Sequence, residues 1–203
     1  MRVLGVIPSR YQSTRLPGKP LADICGKPMI QYVYERATGA KLLGNVIVAT
    51  DDERIVEAVR SFGGEAALTS PDHPNGTSRV AEVARNMDTD IVINIQGDEP
   101  LIDSRMIDEV AQILVSDADV LSATLCSPLG DPTLINDPNV VKVVRDRRGD
   151  ALYFSRSPIP YCRNEADGCV YLEHIGIYGF RKDFLLHYVE LPETPLSRLE
   201  SLE

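Results

Sequence analysis

Between Pro8 and Pro20 the chain carries Arg10, Arg15 and Lys19 and no acidic residue, with Tyr11, Ser13, Thr14 and Gly18 interspersed. Three cations in so short a loop stand out in a protein whose formal net charge is −9. Arginine grips phosphate oxygens through two parallel N–H groups, lysine adds a compact charge, and hydroxyls and a glycine turn let the backbone close around the guest. A triphosphate is the natural ligand for such a loop; the plainer reading is a solvated basic loop. A Walker phosphate loop is excluded, because it needs a Gly five residues before the Gly-Lys pair and Ser or Thr after it. Here Ser13 and Pro20 hold those places, and no GxGxxG dinucleotide fingerprint occurs.

The second candidate is Asn94-Ile95-Gln96-Gly97-Asp98-Glu99-Pro100. A carboxylate on a glycine turn just past an apolar run is well placed to hold Mg²⁺, which takes few protein carboxylates and completes its shell with substrate phosphates. The third is Asp72-His73-Pro74-Asn75-Gly76-Thr77-Ser78-Arg79, where Thr77 or Ser78 caps a helix or faces a base or ribose. Arg156, after Tyr153-Phe154-Ser155, and the lone His174 read by themselves as an ion-pair arginine and a structural histidine.

The elements that must position these residues follow from periodicity. Val3–Pro8, Asn45–Thr50, Ala66–Thr69, Asp90–Gln96 and Val120–Leu125 read as buried strands. Between them lie helices from Met29 to about Ala40, from an Asp51 or Asp52 cap to Phe62, over Thr77–Met87 and over Asp103–Val115. This alternation predicts an α/β fold with three layers around a mainly parallel sheet, whose ligands bind at the carboxyl ends of the strands. The candidate loops fall there. Past residue 126 the pattern changes to short strand-like runs, Val140–Val144, Ala151–Phe154 and Glu173–Phe180. The expected division is a nucleotide-binding core over 1–126 and a smaller mixed α+β lobe over 127–203.

Composition bounds the function. With 21 basic against 30 acidic residues in 203, the chain is a poor binder of polyanions, which argues against a nucleic-acid partner. Its four cysteines, Cys25, Cys126, Cys162 and Cys169, form no CxxC pair and read as reduced thiols of a cytoplasmic protein. No signal-like segment or membrane-length apolar run occurs, so no membrane association is expected.

Several of these segments, in this order, resemble the CMP-Kdo synthetases, the 3-deoxy-manno-octulosonate (Kdo) cytidylyltransferases. The residues are Ile7–Leu21, Asp72-His73 with Gly76-Thr77 and Arg79, Asn94–Pro100, Asn139–Val144, Ala151–Arg156 and His174–Arg181. Ser9 stands where the family commonly has Ala. The resemblance implies a Rossmann-like nucleotidyltransferase fold whose second lobe makes a homodimer, and transfer of CMP from CTP to Kdo for lipopolysaccharide biosynthesis. It implies that Pro8, Ser9, Arg10, Ser13, Arg15, Lys19, His73, Gly76, Thr77, Arg79 and Gln96 meet CTP, with Arg10, Arg15, Lys19 and Asp98 carrying the chemistry. Asp98 would bind Mg²⁺. Gln96, Arg156, His174, Tyr178 and Glu200 would line the sugar-acid pocket, with Arg156 on the sugar carboxylate. Family members continue beyond the equivalent of Glu203 with a Gly-Val-Asp segment whose Asp is a second metal ligand; the resemblance thus implies a shortened chain or an incomplete metal site. Rival readings are a cytidylyltransferase for 8-amino-Kdo or a sialic-type acid, a sugar-phosphate nucleotidyltransferase, and an inactive nucleotide-binding module.

Overall fold

The computed structural model describes residues 1–12, 16–164 and 168–202. Of the candidates above, Ser13 and Arg15 lie outside the described residues. The strands in chain order are β1 (Val3–Ser9), β2 (Asp23–Ile24), β3 (Lys27–Pro28), β4 (Asn45–Thr50), β5 (Glu65–Leu68), β6 (Ile91–Ile95), β7 (Ser122–Pro128), β8 (Lys142–Arg145), β9 (Ala151–Ser155) and β10 (Leu172–Arg181). The helices are α1 (Met29–Thr38), α2 (Glu53–Ser61), α3 (Gly76–Arg85), α4 (Ser104–Ser116), α5 (Lys182–Tyr188) and α6 (Pro195–Glu200). The chain divides into two compact units, Met1–Ala123 with Ile177–Leu191, and Thr124–Gly176 with Pro192–Glu203.

In the first unit the strands are ordered β5-β4-β1-β6-β10. The first four run parallel, and the end of β10, Ile177–Arg181, closes the row antiparallel to β6. β1, β4 and β6 are apolar almost throughout, as strands covered on both faces must be. Alternation sends Leu4, Val6, Ile47, Ala49, Val92 and Phe180 to one face, where they pack under α3 and α5 with Val80, Ala84 and Leu185. Ile7, Val48, Ile93 and Ile95 are fully buried too, and α1 and α4 pack against strands and against each other. This is the three-layer arrangement the alternation predicts.

In the first unit α2, α3 and α4 start on side-chain caps. Asp52 accepts from the Arg54 N–H, Asn75 from the Ser78 N–H and Asp103 from the Arg105 N–H. The cap of α3 is thus Asn75, leaving Thr77 and Ser78 inside the first turn. The chain leaves β1 toward β4 and β5 on one side, then crosses by way of α3 to β6 on the other. The direction of winding therefore reverses at β1, and the loops after β1 and β6 lie side by side at that point, the usual ligand crevice of such sheets.

In the second unit β8 and β9 form an antiparallel hairpin in which Lys142 lies opposite Ser155, and Glu173 at the start of β10 lies opposite Lys142. α6 has only six residues. A helix so short is held by its contacts, since nucleation costs more than so few turns return. Among the described residues no helix is long and apolar enough to cross a membrane.

Candidate active site

The loops after β1 and β6 meet at the carboxyl edge of the first unit. A Cβ on Gly97 would lie 2.6 Å from the Pro8 carbonyl oxygen, so only glycine lets this turn seat itself on the end of β1. That contact sets Asp98 beside the basic loop, where the Lys19 ammonium donates to Asp98 Oδ2 at 2.7 Å. Both side chains keep water access, 36% for Lys19 and 49% for Asp98. Burial, together with the Asp98 charge, pushes the neighbouring Glu99 carboxyl above its ordinary value, and Lys19 opposes this.

The loop that carries Lys19 is folded on Tyr11. Gly18, at φ 70°, donates its N–H to the Tyr11 carbonyl at 2.8 Å and lies against the ring, and the Arg54 guanidinium stacks on that ring, 3.4 Å from its centroid. Neither Tyr11 nor Arg54 had been singled out from sequence. Tyr11 was visible inside the loop, but Arg54 sits on α2 and nothing local ties it there. Arg10 is exposed.

α3 points its N-terminus into the same region: a Cβ on Gly76 would meet Pro8 Cγ at 3.3 Å. The opening turn of a helix presents N–H groups and a partial positive charge to an anion. Thr77 is buried and accepts from Asn94 Nδ2 at 3.1 Å. Arg79 is fully buried. Its guanidinium donates to Thr69 Oγ1 at 2.5 Å and to Asp51 Oδ2 at 3.1 Å, and Thr69 in turn donates to the Thr50 carbonyl. Arg79 therefore braces the floor beneath the loops. His73 bonds Glu82 on α3, which also accepts the Ser70 N–H. Burial works to raise the Glu82 carboxyl, and the bonds from His73 and Ser70 overcome it and leave it below its ordinary value.

Four buried polar atoms have no partner among the described residues: Ser9 Oγ, Asp51 Oδ1, Arg79 Nε and Asn94 Oδ1. All lie at the ends of β1, β4 and β6 or on α3. Native interiors rarely leave such groups unpaired, so their clustering marks a polar, functional end of the sheet. Asn94, a polar residue inside an otherwise apolar run, is a feature of the sequence that could have pointed to this floor. Gln96 follows β6 directly, and Tyr178 on β10 lies opposite Asn94 and packs partly against the core.

The other sugar-acid candidates belong to the second unit. Glu200 closes α6, and its carboxylate accepts the Ser155 hydroxyl at 2.6 Å, the Tyr153 hydroxyl at 2.9 Å and the Arg156 N–H at 3.0 Å. The Ser155 bond above all, then the Arg156 N–H and the Tyr153 hydroxyl, hold Glu200 below the usual carboxylate range. The Arg156 guanidinium spends three of its five N–H groups on main-chain carbonyls, those of Glu200 (2.6 Å), Pro138 (2.7 Å) and Ser201 (3.2 Å). Its contacts in the structure are thus with the backbone that carries Glu200. Lys142 is fully buried and donates to the Asp137 and Val140 carbonyls; burial pushes its ammonium below its ordinary value, against the pull of Asp137 and Glu200. His174 sits edge-on to Phe154 and shares a 2.8 Å hydrogen bond with Thr124. His174 thus shares Thr124 with the Ile175 carbonyl, which the hydroxyl reaches at 3.2 Å. Burial pushes the His174 pKa down to about 4.

Residues 4–203 match the family model described as cytidylyltransferase. A 3-deoxy-manno-octulosonate cytidylyltransferase of Geobacter metallireducens is 51% identical over 213 aligned residues, covering all of this chain and 84% of the relative. The enzyme of the same name from Solibacter usitatus is 53% identical over 202 residues, covering all of this chain and 80% of the relative. Among solved structures, a CMP:2-keto-3-deoxy-manno-octonic acid synthetase complexed with CTP superposes with a TM-score of 0.95 at 50% identity, over all of this chain and 83% of that one. A cytidylyltransferase from Leptospira borgpetersenii shares the fold at a TM-score of 0.64 and 21% identity, over 98% of this chain and 68% of that one.

Proposed function

The chain belongs to the cytidylyltransferase family, and from that premise we propose that it transfers CMP from CTP to 3-deoxy-manno-octulosonate and releases pyrophosphate. The observation that carries the reading is the Lys19–Asp98 pair at the point where the sheet reverses its winding. A cation for phosphate oxygens and a carboxylate for a metal stand 2.7 Å apart, both open to water. Either can therefore exchange its present partner for a ligand.

The residues fit Mg²⁺. Asp98 offers a hard oxygen on a turn seated against β1, and this ion binds through one or two carboxylates plus substrate phosphates. Bound there, Mg²⁺ would neutralise phosphoryl charge. The chain's own contribution is positioning and charge. Lys19 and Arg10, with Arg15 of the same loop, offset the charge that develops on the departing pyrophosphate. Pro8, Ser9, Gly76 and Thr77 shape the floor for the nucleotide, while Arg79 and His73 brace it through Asp51, Thr69 and Glu82. Gln96, Tyr178, His174, Arg156 and Glu200 serve the sugar acid. Glu200, held ionised, accepts hydrogen bonds only, which suits a polyhydroxylated acceptor. Of the guanidinium N–H groups of Arg156, two remain for the sugar carboxylate. We further propose a cytoplasmic homodimer whose ligands are CTP and the sugar acid, with no nucleic-acid partner; the net charge of −9 supports the last point.

The test is pyrophosphate release from CTP and Mg²⁺ with Kdo, 8-amino-Kdo or a sialic acid as acceptor, and with none. Release that requires Kdo and exceeds that with the other acids is expected. Faster release with either of the other acids would reassign the substrate, and CTP binding without release under any condition would leave a nucleotide-binding module.

A further inference from the structure

Glu200 sits at the end of a six-residue helix that cannot hold itself rigid, yet its carboxylate receives three hydrogen bonds. All three donors come from one stretch, Tyr153 to Arg156, at the end of β9. Ser155 is almost completely buried and faces Lys142 across the β8–β9 hairpin. The Arg156 guanidinium ties the carbonyls of Glu200 and Ser201 to that of Pro138, and Lys142 ties Asp137 and Val140. Side chain and main chain of Glu200 are thus both fixed from β9.

A carboxylate has about four acceptor sites. Ser155 and Tyr153 occupy those of Oε1 and the Arg156 N–H takes one on Oε2, so among the described residues a single lone pair on Oε2 stays open. We infer that Tyr153 and Ser155 are positioning residues that aim this one remaining acceptor of Glu200 at a hydroxyl group of the sugar acid. The inference rests on the reading above that Glu200 meets the sugar; it adds how the contact is made specific. A freely rotating carboxylate accepts donors from many directions, whereas one with three sites filled accepts one donor from one direction. Discrimination among sugar acids that differ in the placement of a hydroxyl then depends on β9 as well as on Glu200.

The experiment is a double-mutant cycle in the full chain. Tyr153→Phe and Ser155→Ala are made on the parent and on Glu200→Ala, and the KM for Kdo and for CTP is measured for each, with melting temperatures. On the parent, each is expected to raise the KM for Kdo about ten-fold, the effect of losing one hydrogen bond to a charged group, and to leave the KM for CTP unchanged. On Glu200→Ala the same substitutions should add nothing further. Three results would overturn the inference. If Glu200→Ala raises the Kdo requirement and neither Tyr153→Phe nor Ser155→Ala does, the cradle does not position Glu200. If both act equally with and without Glu200, they reach the sugar by another route. If Glu200→Ala itself leaves the KM for Kdo unchanged, Glu200 is not at the sugar and the underlying reading has failed. Tyr153→Phe removes only a hydroxyl, so it decides the matter even where Ser155→Ala lowers the melting temperature.

Discussion

Arg79→Met removes the guanidinium that braces the first unit, and its consequence separates a structural arginine from one that leaves the core to meet CTP. Arg79 is fully buried and Asp51 keeps 15% of its side-chain exposure, so the pair is close to fully desolvated. Removing one partner of a buried pair costs about 3–5 kcal/mol, because the other charge is left stranded. Some water still reaches Asp51, which places the cost near the lower end, about 3 kcal/mol. Thr69 also loses its donor, while methionine refills most of the volume. For a chain of this size that cost lowers the melting temperature by about 6–12 °C. The double variant Arg79→Met with Asp51→Leu should recover part of the loss, since no carboxylate is then stranded. Thermal unfolding followed by circular dichroism, alongside calorimetric titration with CTP, measures both effects. An unchanged melting temperature with weakened CTP binding would refute the reasoning, because the guanidinium would then be a ligand contact.

Three further outcomes follow from the same geometry. Asp98→Asn should lower turnover at limiting Mg²⁺ by about 100-fold or more and shift the Mg²⁺ requirement upward; turnover near the parent rate would remove Asp98 from the metal site. Lys19→Ala should raise the CTP requirement about ten-fold while leaving the melting temperature unaltered, since an exposed ion pair contributes under about 1 kcal/mol; unchanged CTP affinity and rate would make the loop a surface feature. The neutral His174 ties stability to pH. Its folded-state pKa, about 4, lies below the ordinary 6.5, so between these values the unfolded chain binds the proton more readily. The stabilisation is whole above pH 6.5 and is lost as the pH falls toward 4, a change of about 3 kcal/mol that His174→Gln should abolish in urea melts across that window. A slope unaffected by the substitution would place the titration elsewhere.

The parallel strands were legible because strands buried on both faces read as unbroken apolar runs, and Val3–Ser9, Asn45–Thr50 and Ile91–Ile95 stand where such runs predict them. Of the two cap candidates Asp51 and Asp52 it is Asp52 that caps α2, and Asp103, legible as the first residue of its helix, is the cap of α4. What escaped was short or non-local. The hairpin of β2 and β3 has two residues in each strand, too few for a period. α5 starts directly after β10 with no glycine or proline between, so the change from strand to helix leaves no punctuation. The return of Ile177–Leu191 to the first unit is a tertiary fact that no local pattern encodes. Among the candidate residues, Lys19 and Asp98 were legible from charge and turn chemistry. Arg156 was legible as a cation, but its partners are carbonyl oxygens 18 to 45 positions away, and a backbone acceptor carries no sequence signature.

The cations fall into two groups by what surrounds them, and the division explains which can meet a ligand. Arg79 and Lys142 are fully buried, and both are bonded within their own unit, to Thr69 and Asp51 in one case and to main-chain carbonyls in the other. A buried charge cannot give up its partners without stranding itself in a medium that solvates it poorly. Such a group holds its partners in place and does not exchange. Lys19 is the opposite case. Its bond to Asp98 is short, but water reaches both groups, so the pair costs little to open and either member can turn to a phosphate oxygen or a metal ion. Arg156 stands between the two, with three N–H groups committed to the backbone and two open. Its position therefore links the order of the segment that carries Glu200 to whatever anion the remaining pair of N–H groups receives.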